Sequence, residues 1–185
     1  MRRKNVFNLR CQNGITLIET LTAVVVLGVL VAASVPSFNQ FIQGGRLKGA
    51  LESVFANLQY AKSEAIKRNR QVYLTFTETG DTWCYGLTTA SGSPACTCDT
   101  TTRTTTCEIA TVYSDDYKNI TIDSSTSPAS RQYSFNPIRG SADSGNVTLS
   151  NGTYTLRVVI SSLGRIKICS PDNAGLPGLT DYPGC

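Results

Sequence analysis

One carboxylate, Glu19, interrupts the otherwise uncharged apolar run 15–35, five residues after Gly14. A charge at the centre of a bilayer-spanning segment costs roughly 2.5–3.5 kcal/mol on insertion scales, so such groups tend to be partnered and functional. Cleavage after Gly14 would supply the partner. Ile15 would then carry a free amine one helical turn from Glu19, and the same amine could meet the same carboxylate on a neighbouring copy. The apolar run is then an assembly element.

The cysteines are the second set with chemical capacity. Of seven, Cys11 precedes the cut, leaving Cys84, Cys96, Cys98, Cys107, Cys169 and Cys185. An even number downstream of an export segment reads as a disulfide set formed in an oxidising space such as a periplasm. Sequence does not choose among the pairings, although Cys169 with Cys185 would tie down a Pro/Gly-rich tail. Cys96-Thr97-Cys98 reads as a disulfide corner, since the chain has no His to complete a mixed metal-ligand set.

The missing His also excludes the common Ser-His-Asp and Cys-His nucleophile arrangements and the zincin helix. No glycine-rich phosphate loop of standard spacing is present. Asp115-Asp116 is a carboxylate pair, but neighbours on a strand face opposite ways, so it reads as a solvated loop. The expectation is a protein that is not an enzyme and uses no cofactor and no metal.

Charge and length constrain the rest. The net charge of +4 arises from Arg2, Arg3, Lys4 and Arg10, all before Gly14, and leaves 13 basic against 13 acidic residues beyond it. A globally basic nucleic-acid footprint is therefore absent, and polyanion binding needs a local cluster. The basic leader fits the positive-inside rule and keeps the N-terminus cytoplasmic. Residues 15–35 span about 31 Å as a helix, the thickness of a bilayer core. Pro36 would kink a continuing helix, and Gly44-Gly45 would loosen it as a hinge. The expected organisation is a cleaved leader over 1–14, a transmembrane and assembly helix over 15–43, and a periplasmic globular domain over 44–185.

Within that domain Leu47, Leu51, Val54, Phe55, Leu58, Ala61, Ala65 and Ile66 follow a helical period, predicting a helix over 46–69 that packs one stripe on a sheet. Lys62, Lys67, Arg68 and Arg70 suit its C-terminal end, with anion binding as the alternative reading. The period then switches, predicting strands over 71–77, 82–87, 108–113, 119–122, 132–135, 146–149, 153–160 and 165–169. Gly80-Asp81 marks a turn and Asn151-Gly152 a hairpin. The stretch 91–106 is too polar for core. The fold class is α+β, a long N-terminal helix on a mostly antiparallel sheet.

Gly14-Ile15-Thr16-Leu17-Ile18-Glu19, between a short basic leader and a long apolar helix, resembles the processing site of type IV prepilins and type II secretion pseudopilins. The segment 58–70, leading into the Val72 strand, resembles in particular the H-type pseudopilin (GspH) and FimT/FimU-type minor pilin family. That likeness implies the pilin fold, a prepilin peptidase that cuts between Gly14 and Ile15, and N-methylation of Ile15. The family usually has Phe where this chain has Ile15, and often Lys or Arg where it has Asn13.

Gly164-Arg165-Ile166-Lys167 resembles the Gly-Arg-x-Arg motif of FimT-type pilins, which implies contact with DNA in natural transformation. On a strand Arg165 and Lys167 would project to one face about 6–7 Å apart, a spacing suited to successive phosphates. Lys keeps the charge but loses the planar fork of Arg. The alternative reading is a hairpin turn with solvent-facing strand residues. Arg139, Arg157 and Lys118 are candidates to enlarge the cluster.

The resemblance implies a minor type IV pilin in pilus assembly or priming, held in the bacterial inner membrane as a single-pass protein and later in a pilus or pseudopilus. Its partners are other pilins or pseudopilins through the N-terminal helix, with DNA as a weak, non-specific ligand. An H-type pseudopilin of type II secretion is the alternative within the class. A secreted or anchored binding protein is the alternative outside it, since Val31-Ala32-Ala33 before Ser34 satisfies the small-residue rule for signal cleavage.

Overall fold

A computed structural model describes residues 14–123, 125–171, 176–179 and 181–185, without the side chains of 33–37. The expected leader residues 1–13, including Arg2, Arg3, Lys4, Arg10, Cys11 and Asn13, lie outside the described residues. Two units are present, one ending at Gln40 and one spanning Phe41–Cys185.

Helix α1 is Leu17–Arg68. Thr16 caps it: the Glu19 backbone N–H donates to Thr16 Oγ1 at 3.3 Å, in a Thr-x-x-Glu start. At the other end Asn69 takes the left-handed conformation at φ 51°. The N–H groups of Asn69 and Arg70 return to the carbonyls of Ile66 and Ala65, closing a Schellman motif. The expected helix over 46–69 is thus the second half of a longer one.

The helix runs unbroken through Pro36 and Gly44-Gly45, so the glycine pair does not separate two helices as expected. Gly44 is buried, and a Cβ there would sit 3.7 Å from Leu179. A helical glycine costs about 1 kcal/mol relative to Ala. The neighbouring stripe outweighs that cost, because Leu47, Ala50, Leu51, Val54, Leu58, Ala61 and Ala65 are all fully buried.

That stripe packs on two four-stranded antiparallel sheets, and together they form one core. The first has the order β3-β2-β1-β5, from Ala110–Tyr113, Thr82–Thr88, Val72–Thr79 and Gln132–Phe135. The second has the order β4-β6-β7-β8, from Thr121–Ile122, Gly145–Ser150, Thr155–Ile160 and Ile166–Cys169. Leu74, Phe76, Trp83, Tyr85, Leu87, Tyr133 and Phe135 come from the first sheet, and Val147, Leu149, Leu156, Val158 and Ile160 from the second. Alternation along each strand sends these to the core and their neighbours outward. The buried Trp83 indole donates from Nε1 to the Ile120 carbonyl at 2.7 Å.

Disulfides and a C-terminal strap complete the unit. Cys84–Cys98 and Cys96–Cys107 hold the polar stretch expected to be non-core, and they bury Cys96 and Cys98 within it. Cys169–Cys185 closes the tail. Gly178 and Gly184 add parallel bridges to Thr155 and Ser170. Lys48 pairs with Asp181, and the Tyr182 hydroxyl donates to Glu52 at 2.9 Å, strapping the tail to α1. Every residue of the core and all three disulfides belong to 41–185, so this unit contains what it needs to fold by itself.

Candidate functional site

Gly14, Ile15 and Thr16 precede the first helical turn, and all three are exposed. Nothing lies within 4 Å of a Cβ built on Gly14. The Gly14–Ile15 bond is exposed backbone just ahead of the helix. Glu19 occupies the third helical position, where its carboxylate meets the positive end of the helix dipole. The Glu19 carboxylate has no hydrogen-bond or ion-pair partner among the described residues. The run around it exposes Leu17, Ile18, Leu21, Val24, Val25, Leu27, Val29 and Leu30 to more than half their area. Among the described residues no helix is long and apolar enough to cross a membrane. The expected span 15–35 includes positions 33–35, whose side chains lie outside the described residues.

The cationic motif sits at the other end of α1. Ser161 donates its N–H to the Arg165 carbonyl at 2.9 Å, and Gly164 donates to Ser161 at 2.8 Å, making a three-residue hairpin loop between β7 and β8. Such loops place a left-handed residue before the returning strand, and Gly164 has φ +70°. A Cβ on Gly164 would stand 1.9 Å from the Gly140 carbonyl oxygen, so the loop after β5 touches this hairpin at a point only glycine admits. The Gly164 requirement is thus structural. Arg165 and Lys167 are exposed on either side of buried Ile166 and share one face, with Lys167 opposite Val159 on edge strand β8.

The candidates to enlarge this cluster separate. Arg139 directly precedes Gly140 and is exposed beside the hairpin. Arg157 opposes Cys169, but its guanidinium is committed to Thr148 Oγ1 at 2.8 Å and Ser125 Oγ at 3.1 Å. Lys118 lies elsewhere: it lines a cavity of about 720 Å³ with Asp81, Tyr117 and Asn151, at the far end of β7. In the last turns of α1, Lys67 and Arg68 pair with the buried Glu64 carboxylate at 3.2 and 2.6 Å. The Arg68 hydrogen bond holds that carboxyl below the ordinary glutamate range, opposed by burial and helped by Lys67.

Two residues at this end, Ile138 and Leu163, were not singled out by sequence, and Lys62 was read only as a helix-end cation. Lys62 donates to the Gly164 carbonyl at 2.9 Å. Ile138 and Leu163, at 85% and 83% exposure, are the most exposed large aliphatic residues of the 41–185 unit. An aliphatic residue inside the turn sequences Asn136-Pro137-Ile138 and Ser162-Leu163-Gly164 was the available signal.

Asp115 stands in a 3-10 turn, Ser114–Asp116, and pairs with Arg103 at 3.2 Å. Among the described residues no group of His, Cys, Asp and Glu is arranged to hold a metal ion.

Residues 50–164 match the family described as "Type II transport protein GspH". Residues 9–35 match the "Prokaryotic N-terminal methylation motif". Two solved structures of the Pseudomonas aeruginosa type IV minor pilin FimU are similar. One is 19% identical with a TM-score of 0.50, over 67% of this chain and 88% of that one. The other is 20% identical with a TM-score of 0.48, over 66% and 91%. The likeness is one of fold. No curated protein matches significantly.

Proposed function

Because the chain belongs to the GspH family, we propose that it is a minor-pilin subunit, cut between Gly14 and Ile15, methylated on Ile15, and packed with other pilins through α1. The observation that carries this reading is the methylation motif over 9–35 and the GspH match over 50–164 in one chain. The prepilin peptidase is its processing partner. The inner membrane holds residues 15–43 until assembly, with 44–185 on the periplasmic side, and Glu19 meets the methylated amine of a neighbour in the filament. Three disulfides in the exported unit fit a domain that folds in the periplasm. The second reading is a pseudopilin of type II secretion, which the family description itself favours.

DNA contact through Arg165 and Lys167 is a finer part of the proposal. It is supported by the exposure of both side chains, Arg165 just before the edge strand β8 and Lys167 within it. Gly164 would serve it only by shaping the hairpin.

The test of assembly is Glu19→Ala in the native host. The variant should insert in the membrane as well as the parent, or better, and be lost from sheared filaments. Normal incorporation would remove the pairing role of the carboxylate.

A further inference from the structure

Two loops at the α1 C-terminal end of the 41–185 unit repeat one arrangement: an aliphatic tip followed by arginine, as Ile138-Arg139 and as Leu163-Gly164-Arg165. The two tips are the most exposed large aliphatics of the unit. They are also held rigidly. The Ile138 N–H donates to Asn136 Oδ1 at 2.9 Å, and Gly140 donates to the Asn136 carbonyl at 3.0 Å. Ala142 donates to the Ser162 carbonyl at 3.2 Å, and Gly164 rests on Gly140. Lys62 clamps the pair from α1. Among the described residues neither Arg139 nor Arg165 has a carboxylate partner.

We propose that these paired tips dock the globular unit on an anionic lipid surface, with Ile138 and Leu163 entering the acyl boundary and Arg139 and Arg165 meeting lipid phosphates. This goes beyond the filament reading and does not depend on it. Protruding aliphatic tips flanked by cations suit a soft, apolar, negatively charged interface. A nucleic-acid backbone offers nothing to the aliphatic tips, and neither loop carries an aromatic ring on which a base could stack. The charge complements an anionic surface although the chain beyond Gly14 is formally neutral, because Lys62, Arg139, Arg165 and Lys167 lie at this end and the Glu64 carboxylate is paired with Lys67 and Arg68.

The experiment uses the 41–185 unit, which holds the whole core and all three disulfides, in flotation with phosphatidylglycerol-rich vesicles and with vesicles of phosphatidylcholine alone. The unit should float with the anionic vesicles only and release as salt rises. Ile138→Ser with Leu163→Ser should weaken binding by about tenfold or more, and Arg139→Gln with Arg165→Gln by about twentyfold. Both pairs lie on the surface, and unchanged melting temperatures establish that the fold is intact. Failure of the parent unit to float, or flotation unaffected by the serine pair, overturns the proposal. Retardation of duplex DNA by a unit that ignores anionic vesicles also overturns it, and assigns the cations to nucleic acid.

Discussion

Lys62 Nζ donates to the Gly164 carbonyl at 2.9 Å across 102 residues of sequence, tying the last turns of α1 to the β7–β8 hairpin. The cationic motif is therefore anchored to the same helix whose N-terminal end carries Glu19.

The contact makes Gly164 a sensitive position. Gly164→Ala places a methyl group on the Gly140 carbonyl and forces a side chain into positive φ. The expected loss is roughly 2–3 kcal/mol, read by urea denaturation of the 41–185 unit. Stability equal to the parent would mean that the two loops part without cost.

DNA contact has a separate test. The intact unit should retard duplex DNA without sequence preference, and the effect should fade with salt. Arg165→Ala with Lys167→Ala should abolish the shift while leaving the melting temperature unchanged, because both side chains are exposed. No retardation by the parent at low salt removes the DNA role and leaves filament assembly standing.

Cys169–Cys185 closes a segment with a sequence separation of 16 and fixes the strap against α1. In the chain-entropy account a loop of that size contributes about 3 kcal/mol. Cys185→Ser should lower the urea midpoint accordingly and open residues 176–185 to protease. An uncut tail would show that Lys48–Asp181 and Tyr182–Glu52 hold it unaided.

Glu64 sets a pH dependence. Its carboxyl is held below the ordinary value chiefly by the Arg68 hydrogen bond, with Lys67 assisting. A depressed carboxyl stabilises the fold above its unfolded value and loses that contribution as pH falls through the folded one. Glu64→Gln should therefore melt lower than the parent at neutral pH, and the gap should narrow as pH falls below the ordinary glutamate value of about 4.3. A gap constant with pH would contradict the ion-pair account.

Much of this architecture is legible in the residues. The spacing of Leu47, Leu51, Val54, Leu58, Ala61 and Ala65 announces the buried stripe, and the eight strands fall within about two residues of their expected bounds. Local signals failed where distant contacts decide. Gly44-Gly45 reads as a hinge in isolation, yet it lies in unbroken helix with Gly44 against Leu179. Asn151-Gly152 reads as a hairpin and is one: Ser150 pairs with Thr155, the Asn151 N–H donates to the Tyr154 carbonyl at 3.2 Å, and Asn151 Oδ1 accepts from the Thr153 and Tyr154 N–H groups. Cys169–Cys185 is the pairing the Pro/Gly-rich tail suggested, whereas Cys84–Cys98, Cys96–Cys107, the Lys62–Gly164 bond and the meeting of the Ile138 and Leu163 loops depend on the fold. Nothing in local pattern encodes them.

The most direct test of the filament-subunit account is N-terminal sequencing and mass analysis of the mature protein from its host. The account predicts a chain that begins at Ile15 and carries one added methyl group on its amine. A chain that begins at Ser34, or one that retains Met1, would contradict it.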